Sequence, residues 1–318
     1  MSVQRFRFHP SSLLAFPLFG AGLGLLALLL LPLVTGSGLP AWGPLAVWAV
    51  GLGGVGLLAG GVGFGWLALG EYREDANLVA RRGDAPVRRW LVAHLDSKAQ
   101  GQSMAGRLVA VWVVAAAVVV LTLLAAGRLA GPVPLPLAAA GAALAIAAGA
   151  LAGRGRLRGG SPGARDNGSG IAAVLAAAAA APDAATGILI TGAEEFGLVG
   201  ARVFAQLEGS RLTGVEVINF DTLDQEGDLY LVSHDHRGRD LAAAYAASLQ
   251  GVGPAVRPRK LPAGILVDSL PLARAGAAAI TVGRLTWGTL RLIHTSRDVP
   301  EGLSLEPAER IGRAVGAN

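Results

Sequence analysis

His94 and Asp96 stand two residues apart at the end of a short apolar run, Glu194 and Glu195 follow a second run, and Asp221 ends a third. Asp166 precedes an Ala-rich stretch, and His294 sits in a late polar loop. Imidazoles and carboxylates are donors for divalent cations, and two such ions about 3.5–4 Å apart can activate a water for hydrolysis. Residues two apart in an extended chain point to the same side, so the Asp96 carboxylate can hydrogen-bond the other nitrogen of His94 and fix its tautomer. Glu194 and Glu195 cannot both face one point from a regular strand; at a strand end, one can ligate while its neighbour takes a proton from water. Asp166 leads into Asn167, Gly168, Ser169 and Gly170, a flexible turn that lets a carboxylate reach two ions from a helix start. The chain contains no cysteine, which removes disulfides, thiolate nucleophiles, iron–sulfur clusters and Cys-bearing zinc sites together. Any metal must be held by His and carboxylate.

These residues need a scaffold that brings them together. Residues 90–93, 187–191 and 215–220 read as strands, and 171–181 and 198–207 as helices between them. The alternation predicts an α/β fold: a three-layer sandwich with a mostly parallel sheet between helices. Ligands of such sheets bind at the carboxyl ends of the strands, where His94, Glu194, Glu195 and Asp221 fall.

Five segments in order, AHLDS (93–97), GARDNGSG (163–170), TGAEEFGLVGA (191–201), INFD (218–221) and IHTSRD (293–298), resemble the motifs of the M28 family of zinc peptidases, which includes many aminopeptidases. The resemblance covers most of 77–315. It implies a dinuclear zinc site in which His94 and Asp221 hold one ion, Glu195 and His294 the other, and Asp166 bridges. Glu194 would then be the general base, Asp96 would orient His94, and a peptide would be the substrate, with aminopeptidase action the family-weighted expectation. Asp268 and Asp298, in family-like contexts, are expected to have supporting roles. The same centre could cleave another amide, and a catalytically silent membrane scaffold stabilised by its metal is the reading from a different class.

The composition sets the rest of the molecule. Hydrophobic residues make up 53% of the 318 and charged residues 15%, which excludes disorder and coiled coil. No Asp or Glu occurs in 1–70 or 99–165, and uncharged apolar runs span 11–35, 41–69, 108–126 and 135–152. These runs predict about four transmembrane helices in two hairpins, in a multipass protein of the cell membrane. The first run is too long for a cleaved leader and lacks a small-x-small cleavage site. The expected organisation is a transmembrane hairpin at 1–70, a peptidase domain at 71–106 and 153–318, and a second hairpin inserted at 107–152. Arg5, Arg7, Arg73, Arg81, Arg82, Arg88, Arg89, Lys98, Arg107, Arg154, Arg156, Arg158 and Arg165 fall on one side if every run crosses once, leaving only Arg128 opposite, which points the polar domain to the cytoplasm. The net charge of +5 belongs to these flanks, and no basic stripe with interleaved aromatics suggests nucleic acid. Gly51, Gly53 and Gly56 spell GxGxxG inside an apolar run with no strand before it, so no dinucleotide site is expected. His234 and His236 form a His-x-His pair that reads as a polar loop rather than a third metal site. Trp287 and Arg291 are open between shaping a pocket and ordinary packing or surface roles. The oligomeric state is not legible.

Overall fold

A computed structural model describes residues 1–83, 85–182, 185–253, 255–261 and 265–318. The chain divides into two compact units, one of residues 1–8, 72–99 and 159–318 and the other of 9–71 and 100–158.

The first unit is built on an eight-stranded sheet. Its strands are β1 (Ser2–Phe8), β2 (Arg73–Ala80), β3 (Arg89–His94), β4 (Thr186–Thr191), β5 (Glu216–Leu223), β6 (Asp228–Ser233), β7 (Val256–Lys260) and β8 (Ala278–Leu285), in the spatial order β1-β2-β4-β3-β5-β8-β6-β7. The centre, β4-β3-β5-β8, is parallel, while β1-β2, β2-β4 and β6-β8 are antiparallel, so the sheet is mixed around a parallel core. The two-residue period of the strands sorts side chains to opposite faces. Leu91, Ala93, Ile218, Phe220, Ile280 and Val282 pack in one buried cluster, and Trp90, Val92, Val217 and Ala279 in another.

The helices of this unit begin after two pairs that belong to the second unit: α1 (Ala15–Thr35) with α2 (Gly43–Gly63), and α3 (Met104–Gly127) with α4 (Leu135–Gly153). The rest are α5 (Ser169–Ala180), α6 (Val199–Glu208), α7 (His236–Ser248), α8 (Ser269–Arg274), α9 (Trp287–Leu292) and α10 (Glu306–Gly316). Residues of α5, α7 and α10 complete the first cluster, and Phe204 of α6 with Leu272 of α8 the second, giving the predicted three layers. Each fully buried Leu, Ile or Phe contributes about 1.5–3 kcal/mol of transfer free energy.

In the second unit, α1 to α4 are each long and apolar enough to cross a membrane. A 21-residue helix such as α1 rises about 31 Å, close to the hydrocarbon thickness of a bilayer. Leu23, Ala27, Leu30 and Val34 of α1 face inward with Ala138, Ala142, Ala145, Ala148 and Ala152 of α4, while Leu25, Leu28, Val50, Leu57, Trp112, Val119 and Leu123 are exposed. A Cβ at Gly149 would strike the backbone of Gly20, so glycine at that crossing lets α1 and α4 touch. Trp48 donates to Thr122 (2.9 Å), and Arg128 donates to the carbonyls of Gly36 (3.1 Å) and Leu39 (3.4 Å) beyond the end of α1. The base of the second hairpin is tied by the Gln100–Leu157 bridge and by Gly101 N–H to the Arg156 carbonyl (3.1 Å).

Two sequence expectations change. Residues 2–8, grouped with the first hairpin, form an edge strand in register with β2, because Phe6 and Phe8 alternate with polar residues at strand period before the apolar run begins. The run 41–69 is helical only to Gly63, where a turn with Gly65 at φ +78° breaks the helix.

Candidate metal centre

Every predicted ligand sits on a loop or strand end at the carboxyl edge of the parallel core. His94 is the last residue of β3, Glu194 and Glu195 follow β4, and Asp221 lies in β5 beside Thr222 (φ +56°). His294 (φ +62°) follows α9, and Asp166 occupies an irregular turn before α5. Positive φ in non-glycine residues costs energy and gathers where a side chain must be aimed, here at Ala193 (φ +50°), Thr222 and His294.

Two groups result, His94–Asp166–Asp221 and Asp166–Glu195–His294, each with its ligand atoms within 4.8 Å of one another, and Asp166 is common to both. His94 Nε2 lies 3.2 Å from Asp166 Oδ1 and 4.0 Å from Asp221 Oδ1. His294 Nε2 lies 3.2 Å from Asp166 Oδ2 and 3.3 Å from Glu195 Oε1. The Asp166 carboxylate thus turns one oxygen to each imidazole.

The supporting bonds differ from the expected ones. His94 Nδ1 bonds the backbone carbonyl of Asp96 at 2.9 Å, and the Asp96 carboxylate is 3.9 Å away. A carbonyl can only accept, so Nδ1 carries a proton, and Nε2 is the nitrogen that faces the cluster. The Asp96 carboxylate instead accepts the N–H groups of Glu194 (2.9 Å) and Glu195 (3.1 Å), clamping their turn.

The turn at 164–168 is held by side-chain hydrogen bonds at both ends. Asn167 donates to the Phe220 carbonyl (2.9 Å), and its Oδ1 accepts from Gly170 (3.1 Å) and Thr222 (3.2 Å). Asp298 accepts the N–H groups of Arg165 (2.9 Å) and Asp166 (3.0 Å), and Arg165 also pairs with Asp224 (3.2 Å). Asp268 accepts from Thr191, and its other oxygen is buried without a hydrogen-bond partner. Outside the cluster, His234 bonds Ser269 Oγ at 2.7 Å, and Trp287 is 49% exposed.

The electrostatics follow from gathering carboxylates away from water. Burial and then Glu195, Asp268 and Asp221 push Glu194 well above the usual carboxylate range, against the pull of His94. Burial raises Asp221 to about 6 and Asp268 to about 7. Burial works against Asp166 too, but bonds from His294 and His94 hold it below the usual range. Glu195 is drawn down to about 2, since His294 and Lys98 outweigh its burial. Both imidazoles are raised despite burial, His94 by Glu194, Asp166 and Asp221, and His294 by Glu195 and Asp166. Buried carboxylates held above their normal range, and a Glu195 Oε1 with no hydrogen-bond partner, suit a donor set that receives cations. The set is all N and O, as zinc accepts.

Lys98 stands among the basic residues that the sequence assigns to the membrane flanks. It is 5% exposed and its Nζ lies 2.5 Å from Glu195 Oε2. Arg165, counted with it, is likewise buried in ion pairs, so neither informs membrane orientation. Sequence charge alone does not separate a solvated cation from a paired one.

The family model of peptidase family M28 matches residues 150–318. No curated protein matches. Among solved structures, the chain is similar to an aminopeptidase from Aneurinibacillus sp. strain AM-1, with 16% identity and a TM-score of 0.48 over 78% of this chain and 48% of that one. It is also similar to the zinc aminopeptidase BSAP from Bacillus subtilis, with 17% identity and a TM-score of 0.47 over 78% and 49%, respectively. The LapA aminopeptidase of Legionella pneumophila gives 17% identity and a TM-score of 0.48 over 76% and 54%. The chain spans about half the length of these three proteins. His94, Asp96 and Lys98 precede the matched span in sequence and join it through the place of β3 between β4 and β5. With the match extending over more than half of its residues, the chain belongs to peptidase family M28.

Proposed function

We propose that this protein is a membrane-anchored, zinc-dependent metallopeptidase that hydrolyses peptide bonds as an aminopeptidase. The observation that carries this reading is the sharing of Asp166 between two groups of metal-type donors, next to a buried Glu194 that is not in either group. His94 and Asp221 would hold one zinc, Glu195 and His294 the other, and Asp166 both. When bound, two zinc ions supply Lewis-acid polarisation of a carbonyl and a more acidic water. Glu194, buried beside both groups, would take the proton from the attacking water and return it to the leaving amine. Asp96 holds the backbone of Glu194 and Glu195, so base and ligand keep a fixed offset.

The test is Glu194→Gln in detergent-purified protein reconstituted with zinc and assayed on peptides with free amino termini. Turnover should fall by about 10²–10⁴-fold while metal content stays at the native level. Undiminished turnover would remove the base assignment. A native protein that binds metal but cleaves no peptide or other amide would favour the silent scaffold.

Membrane anchoring rests on α1–α4 and their exposed apolar faces. Residues 1–8, 72–99 and 159–318 form one compact unit, so each intervening stretch must cross an even number of times, which two helical hairpins satisfy. The arginines flanking the apolar runs, Arg5, Arg107, Arg154, Arg156 and Arg158, favour the cytoplasm for that unit. A reporter fused after Asn318 should be active only inside the cell.

A further inference from the structure

The two halves of the donor set are not equivalent, and the difference is Lys98. Its ammonium is buried against Glu195, 2.5 Å from Oε2 and 3.3 Å from the backbone carbonyl of the same residue. Glu195 therefore commits one oxygen to Lys98 and turns the other, Oε1, toward His294. On the other side, Asp221 bonds the Thr222 hydroxyl at 3.0 Å and faces His94 Nε2 at 4.0 Å, and no Lys or Arg pairs with it among the described residues. The His94–Asp166–Asp221 half carries two carboxylates, neither paired with a Lys or Arg among the described residues. The Asp166–Glu195–His294 half carries two carboxylates, one already neutralised.

A divalent ion entering the second half meets like charge bonded to one of its ligands, and finds Glu195 with a single free oxygen. Both effects lower affinity on that side only. We infer that Lys98 sets the order of metal loading: the His94–Asp166–Asp221 position binds tightly and first, and the Glu195–His294 position is a weaker, exchangeable one. This rests on the metal-centre reading above and adds to it an asymmetry that the ligand set alone does not contain. Lys98 acts through Glu195, as a positioning residue.

The experiment is a calorimetric titration of the full-length, metal-stripped protein in detergent with Zn²⁺, repeated with Co²⁺ so that the visible spectrum reports each position. Native protein should give two resolved affinities. Asp221→Asn should abolish the tighter event, and Glu195→Gln the weaker one. Lys98→Met should strengthen the weaker affinity by on the order of 10–100-fold and leave the tighter one within a few-fold, while Lys98→Arg keeps the native separation. Lys98→Gln provides a second neutral variant should Lys98→Met fail to fold by circular dichroism. The inference is overturned if neutral variants weaken or do not change the second affinity, since Lys98 would then only prop Glu195 in place. It is also overturned if the native protein loads both positions equally. Failure of the parent reading looks different: no specific binding in the native protein, or binding unaffected by Asp166→Ala.

Discussion

Glu194, Asp221 and Asp268 share a burden that the metal would relieve, and pH exposes it. Asp221 near 6 and Asp268 near 7 lie above the ordinary value of about 3.9, so at intermediate pH the native state binds more protons than the unfolded one. Stability from these groups is complete in acid and lost as pH rises through 6 to 7, and the raised His94 and His294 add in the same direction. Asp166 and Glu195, held low, act oppositely, but only near and below the ordinary carboxylate range. The Tm of chelator-treated protein should therefore fall between pH 5 and pH 8, while zinc-loaded protein should gain over the same interval, because its ligands must shed protons to bind. A thermal-shift series with and without zinc reads both slopes. Asp96→Ala should weaken metal binding by about 10–100-fold through the turn it clamps. Of the five candidate ligands, four stand out in the sequence because they follow an apolar strand run or open a helix, and His294 because it falls in a late polar loop; the roles of Lys98, Asn167 and Arg165 do not, because they depend on partners about 50 to 130 residues away.

At the scale of elements, the helix α5 that starts beside Asp166 is held down by α10. A Cβ at Gly312 would run into the Ala173 carbonyl, and one at Gly316 into that of Ala177. Gly312→Val should destabilise the unit by about 1–3 kcal/mol and lower Tm by several degrees, with metal affinity falling as the Asp166 turn shifts. Differential scanning fluorimetry and a zinc titration would show both. The central strands β3, β4 and β5 were readable from short apolar runs, which a strand buried on both faces requires. β2, with Arg73, Glu74 and Asp75 at its start, has no such run, since an antiparallel flank pairs through its backbone and buries little. The antiparallel entry of β6 between β8 and β7 has no local signature, because register and direction are set by partners distant in sequence.

For the whole molecule, the absence of cysteine gives single-cysteine labelling no background. Gly38→Cys and Gly131→Cys, in the loops between paired helices, should react with an impermeant maleimide from outside the cell, and Gly302→Cys only after lysis. Reaction of all three from the same side would rule out two membrane hairpins. Residues 150–318 carry the family match, yet His94 lies before α3 and α4, so a chain cut to the matched span would lack one of the candidate ligands of the His94–Asp166–Asp221 group. The tied base of the second hairpin makes that separation in sequence compatible with one centre.

The placement of β3 also imposes a schedule on synthesis. His94 leaves the ribosome before α3 and α4, its strand neighbours β4 and β5 come after them, and His294 follows about 200 residues later. At roughly 5–20 residues per second, β3 spends on the order of 5–20 s uncovered before β4 is made, while on the membrane-anchored reading the second hairpin enters the bilayer. On the proposed membrane-anchored reading, the nascent chain must keep a sheet-core strand from aggregating while α3 and α4 insert, and the complete set of candidate ligands would exist only after all four apolar helices have been made.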